Sequence, residues 1–142
     1  MKNFTNISQG LRHTAIEYPH KRAVVYPFGR DTKGRVTYSQ ITFRQLDRQS
    51  DRLAYGLEKA GIIRGTRTVL MVPPSIEFFH VIFAMFKTGA IPVVVDPGMG
   101  IDRMVTCFSK GKPEAFIGIP KAHVLRKLKP RFFKSVKKWV TV

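Results

Sequence analysis

Apolar and polar positions follow two periods along this chain, and each change of period marks an element. "RAVVYP" (22–27) and "RVTYSQITF" (35–43) are rich in β-branched and aromatic residues, with the polar "GRDTKG" between them, which predicts a β-hairpin. The period then lengthens. In "TFRQLDRQSDRLAYGLEKAG", Leu46, Leu53, Ala54 and Leu57 share one helical face, and Asp47, Arg48, Asp51 and Arg52 lie largely off it. Thr42, with Gln45 three residues later, is a capping box at the start, and Gly61 stands where a left-handed residue ends a helix.

"RTVLMVPP" (67–74) is a short apolar run stopped by two prolines, a buried strand. Ser75 can cap the helix that follows, and Glu77 favours its first turn. That helix, 76–88, is apolar nearly all round (Ile76, Phe78, Phe79, Val81 to Phe86), so it should be covered on most sides; Gly89 stops it. "IPVVV" is apolar on both faces, as a central parallel strand would be. "IDRMVTCFSKGKP" is a helix with Ile101, Met104, Val105 and Phe108 on one stripe. Cys107, near that stripe, is expected to be buried. "EAFIGIP" reads as a strand, "KAHVLRKLKP" as a short basic helix and "SVKKWVTV" as a last strand. From residue 67 onward the order is β-α-β-α-β-α-β. The expected fold class is therefore α/β, a mostly parallel sheet with helices on both faces, preceded by a helix and a β-hairpin.

A length of 142 residues, with 44% apolar and 24% charged, is the composition of one globular domain rather than of a disordered chain. Charge changes the picture: 25 Lys+Arg against 9 Asp+Glu give a net +16, and residues 121–142 hold eight bases and no acid. Such a chain attracts anions, so nucleic acid and a peripheral contact with an acidic membrane both enter as candidate partners. In the tail the bases interleave with Phe132, Phe133 and Trp139, a mixture able to stack on bases. These aromatics have apolar neighbours that a sheet would bury, which argues against nucleic acid. One cysteine excludes an internal disulfide and fits a reducing compartment, and "MKNFTNISQG" has no apolar signal core, so the expectation is cytoplasmic.

Parallel sheets bind ligands beyond the carboxyl ends of their strands, which draws attention to "GAIPVVVDPGMG" (89–100). Gly98-Met99-Gly100 is followed by Ile101, Asp102 and Arg103, so the third glycine of a dinucleotide fingerprint is missing. Gly111-Lys112 is followed by Pro113, which fails the phosphate-loop pattern. Asp96-Pro97-Gly98 is explained by a tight strand-to-helix turn. His13, His20, His80 and His123 have no metal-ligand spacing, and His80 reads as a packed histidine. No serine lies in a nucleophile elbow, nothing nearby marks Cys107 as a nucleophile, and capping and turn roles account for Glu77 and Asp96. No residue is assigned as catalytic, cofactor-binding or metal-binding.

Taken in order, the segments resemble a family. "VTYSQITFRQL" and "FKTGAIPVVVDPG", about fifty residues apart, are similar to the first two core motifs of the AMP-forming acyl-adenylating enzymes: acyl-CoA synthetases, fatty-acyl-AMP ligases, luciferases and peptide-synthetase adenylation domains. "PEAFIGIPKAH" resembles the OleC-like branch, which makes olefins or β-lactones from long fatty chains. The resemblance covers the chain from about residue 6 onward. It implies adenylation of a carboxylate, fatty-acid-directed, by ATP with Mg²⁺, and transfer to an acceptor such as coenzyme A. It also implies that residues 1–142 are an incomplete amino-terminal subdomain. The family's phosphate loop, adenine- and ribose-binding groups and catalytic lysine have no counterpart in these residues, so no cofactor is expected to bind here alone. The second core motif is structural in the family, so the 89–100 turn would build the sheet beside the site. "WVTV", an apolar run at the end, adds the expectation of a truncated chain. The partner implied is the remainder of the ligase, on the same chain or on a second polypeptide. The alternative is a stand-alone basic α/β module that binds a polyanion or a protein.

Overall fold

The computed structural model describes residues 4–94, 100–128 and 130–142. Helix α1 (Ile7–Glu17) comes first, then the antiparallel hairpin β1 (Arg22–Arg30) and β2 (Val36–Thr42), and helix α2 (Phe43–Lys59). Both helices open on reciprocal capping boxes, Asn6 with Gln9 and Thr42 with Gln45, so the motif read at residue 42 forms as expected. The hairpin turn is organised by Asp31, whose carboxylate accepts from the Lys33 and Arg35 backbone N–H groups and from Arg35 Nε at 2.8 Å. These bonds, the Arg35 backbone N–H foremost, hold the Asp31 carboxyl below its usual range.

The second unit is the four-stranded parallel sheet: β3 (Arg67–Met71), β4 (Ile91–Val94), β5 (Ala115–Gly118) and β6 (Lys138–Thr141), in the order β4-β3-β5-β6. Its connecting helices are α3 (Ile76–Thr88), α4 (Ile101–Gly111) and α5 (Pro120–Leu128); a 3-10 turn, Pro130–Phe133, precedes β6. The side-chain period of two sends each strand's residues to opposite faces. Leu70, Val72, Ala115 and Ile117 meet α2 and α3, with Ala54, Leu57, Val81, Ala84 and Met85. Val69, Met71 and Phe116 meet the other layer, with Met104, Phe108, Ala122 and Phe133. A third cluster, Leu11, Val24 and Leu46, joins α1 and the hairpin to α2.

Three expectations change. Strand β4 sits at an edge of the sheet, not its centre, with Ile91 and Val94 half exposed; β3 and β5 are the central strands. Helix α3 buries Val81, Ile82, Ala84, Met85 and Thr88, but its phenylalanines are only partly covered. It packs with α2 on one face of the sheet, and Phe79 and Phe83 line a cavity of about 330 Å³ shared with α1, β1 and α2. Cys107 is exposed, because Met104 and Phe108 take the narrow buried stripe of α4.

Helix ends follow the sequence. Gly61 and Gly89, at φ 78° and 72°, terminate α2 and α3 in the left-handed conformation that glycine adopts without a Cβ clash. Lys138 Nζ donates to the Gly61 carbonyl, tying β6 to the end of α2. Lys87, near the end of α3, reaches across to α2 and pairs at 2.7 Å with both Asp47 and Asp51.

Candidate functional site

Strand order reverses between β3 and β5: the chain first adds β4 on one side of β3, then crosses over to add β5 and β6 on the other. In an open parallel sheet a ligand crevice forms at such a point, beyond the carboxyl ends of the two strands. Here the loops concerned are Val72–Ser75 after β3 and Ile119 leading into α5 after β5.

Both loops are poorly built to hold a phosphate. A phosphate cradle needs free backbone N–H groups. Pro73, Pro74 and Pro120 have none. The Ser75 hydroxyl accepts the Phe78 N–H as the α3 cap, and the Ile119 N–H is directed to the Met71 carbonyl at 3.4 Å. At the end of β5 the space is filled: a Cβ on Gly118 would lie 2.7 Å from the Phe116 ring and 3.0 Å from the Ala122 methyl.

The carboxyl end of β6 is held by His123 of α5. Its Nε2 lies 3.1 Å from the Val140 carbonyl and 3.2 Å from Thr141 Oγ1. A carbonyl only accepts, so Nε2 carries the proton in this contact. The ring packs edge-on to Phe116, and Phe116 in turn packs on Phe133 and Trp139. Phe133 and Trp139, read as possible stacking residues, are thus part of the core on this face; the Phe132 side chain lies outside the described residues.

His80 is packed in the second turn of α3, as expected. Burial pushes its pKa below the usual histidine value, partly offset by Glu77, and Nε2 has no hydrogen-bond partner among the described residues. A neutral imidazole placed there is a packing group. The other titratable candidates are dispersed. His13 pairs with Glu17 at 3.4 Å on α1, Cys107 is on the outside of α4, and Glu77 is exposed. Among the described residues no three His, Cys, Asp or Glu side chains form a metal-binding group. The turn at Asp96, Pro97 and Gly98 lies outside the described residues; its last glycine, Gly100, leads into α4 at φ 82°. Among the described residues, the loops after β3 and β5 lack the run of free backbone N–H groups that a phosphate cradle uses. The described residues supply a sheet, a switch point and a rigid aromatic support for β5 and β6.

The chain is similar to several known proteins. The family model described as "AMP-binding enzyme" matches residues 11–141. The olefin beta-lactone synthetase of Xanthomonas campestris pv. campestris is 43% identical over 129 residues, 90% of this chain and 23% of that protein. The olefin beta-lactone synthetase of Stenotrophomonas maltophilia is 46% identical over 139 residues, 96% of this chain and 25% of that protein. The chain thus spans about a quarter of the curated relatives it matches. Among solved structures, the N-terminal domain of FACL13 from Mycobacterium tuberculosis superposes with a TM-score of 0.77 at 20% identity, covering 98% of this chain and 34% of that one.

Proposed function

Because the chain belongs to the AMP-binding enzyme family, we propose that residues 1–142 are the amino-terminal subdomain of an ATP-dependent carboxylate-adenylating ligase acting on a long-chain acid. The observation that carries this is 43–46% identity to two olefin beta-lactone synthetases over 90–96% of the chain. In this reading the adenylating reaction joins a carboxylate to AMP and releases pyrophosphate. ATP and Mg²⁺ are held by the remainder of the ligase, and coenzyme A is the candidate acceptor for a second step. The contribution of these residues is structural: they hold one parallel sheet rigid, with its switch point beside the chemistry. Electrostatic stabilisation of a transferring phosphoryl centre needs donors aimed at it, and Pro73, Pro74 and Pro120 remove backbone donors from the β3 and β5 loops.

The test is a chimera in which residues 1–142 replace the matching quarter of the Stenotrophomonas protein. The chimera should support carboxylate-dependent exchange of pyrophosphate into ATP, and residues 1–142 alone should give none. A folded chimera without exchange, beside an active parent, would overturn the assignment. Turnover by residues 1–142 alone would overturn the purely structural role.

A further inference from the structure

The outward face of α2 carries a row of basic residues, with Asp51 and Glu58 exposed along its flank. Leu46, Ser50, Ala54 and Leu57 are its buried residues. At 3.6 residues per turn, Arg44, Arg48, Arg52, Tyr55 and Lys59 fall on the opposite side, and all five are exposed. A rise of 1.5 Å per residue sets successive arginines about 6 Å apart and makes the ridge about 22 Å long. Like charges four residues apart destabilise a helix. The acids that could relieve them are committed elsewhere. Asp47 and Asp51, three residues after Arg44 and Arg48, are both drawn to Lys87 of α3 at 2.7 Å. Among the described residues no ion pair engages Arg44, Arg48 or Arg52.

A tyrosine–lysine pair stands at each end of the ridge. The Lys59 ammonium is 4.5 Å from the ring centre of Tyr55, which is 62% exposed. The Lys21 ammonium is 5.4 Å from that of Tyr18, which is 49% exposed. The turn carrying Tyr18 and Lys21 is fastened to the start of α2: the Phe43 N–H donates to the Lys21 carbonyl at 3.0 Å, and the Arg44 N–H to the Pro19 carbonyl at 3.2 Å. The nearby acid Glu17 lies 3.4 Å from His13 and also accepts from the Tyr18 hydroxyl.

We propose that this ridge docks on an anionic lipid bilayer, with headgroup phosphates and carboxylates neutralising Arg44, Arg48 and Arg52 and the two tyrosines at headgroup depth. Basic side chains and amphipathic rings together are the chemistry of that interface. The net charge of +16 adds long-range attraction. Single-stranded nucleic acid offers the same phosphates, but it binds through bases stacked on open ring faces. Here a lysine covers a face of each tyrosine. The ridge does not depend on which carboxylate is adenylated. Its test uses neither ATP nor an acid substrate, so its failure and that of the adenylating role are separate results.

The experiment is co-sedimentation of the chain with vesicles of phosphatidylcholine alone or mixed with phosphatidylserine, at low and high salt. Binding should require phosphatidylserine and weaken with salt. R44Q/R48Q/R52Q should lower the partition coefficient on the order of a hundredfold, about fivefold per arginine. K121Q/K134Q/K137Q removes equal charge from exposed lysines elsewhere and should cost far less. The lysine triple R44K/R48K/R52K should retain binding, which separates loss of charge from loss of fold. Equal loss in both glutamine variants, equal binding to neutral vesicles, or capture of single-stranded RNA by the same arginines with no vesicle binding would each overturn the proposal.

Discussion

A methyl group on Gly118 would meet the Phe116 ring and the Ala122 methyl inside normal contact distance, and Phe116 is fully buried. Phe116 cannot move without disturbing its packing on Phe133 and Trp139, and the Ala122 methyl is fixed to the backbone of α5. Gly118→Ala should therefore lower stability by about 1–3 kcal/mol, the usual cost of overpacking, read as a lower urea midpoint at unchanged slope. His80 makes a second prediction at this scale. Its folded pKa lies below the unfolded value of about 6.5, because burial disfavours the charged ring. The unfolded chain thus binds the proton more tightly. The His80 contribution is complete above the unfolded pKa and is lost as pH falls from there through the folded pKa. His80→Phe should flatten the fall in unfolding free energy between pH 7.5 and 5; an unchanged slope would place that dependence on other groups. No turn signal announces Gly118, since its φ is not left-handed and its constraint comes from how the Phe116 ring lies over it and from Ala122 of α5. His80 is legible as a packed residue because apolar positions surround it on α3.

Among elements, α2 and α3 depend on one another most visibly through Lys87. Its side chain is only 12% exposed and that of Asp47 15%, so the charge is shielded and held by two carboxylates and the Asp47 carbonyl. Removing one partner leaves the other charge partly buried without compensation. Lys87→Met should cost about 2–3 kcal/mol, measured by chemical unfolding; a change within about 0.5 kcal/mol would mean that solvent replaces the pair. Helix boundaries were largely legible. The Thr42–Gln45 box, the Ser75 cap, Gly61 and Gly89 act through bonds and dihedrals within a few residues of themselves. The Lys87 contact was not, because it joins residues 36 and 40 positions apart and depends on how the two helices cross.

For the whole molecule, the sheet order sets where stability is concentrated. Strands β3 and β5 are flanked on both sides and almost wholly buried, whereas β4 and β6 lie at the ends of the described sheet. Amide exchange should be slowest in Val69, Leu70, Phe116 and Ile117, and faster in β4 and β6. Comparable protection in β4 would show that its outer edge is covered in solution.

The order of strands and helices, the hairpin, the caps and the α/β class were set by the sequence alone, because period, turn residues and capping side chains act locally. The two core motifs also carried the family. Only the tertiary structure decided that β4 is an edge strand, that Cys107 is exposed, that Gly118 admits no side chain and that Asp47 and Asp51 turn away from the arginines of α2. Each of these depends on which distant surfaces meet. An apolar run fits a central strand and a partly covered edge equally well, and a carboxylate three residues from an arginine pairs with whichever cation the packing brings nearer.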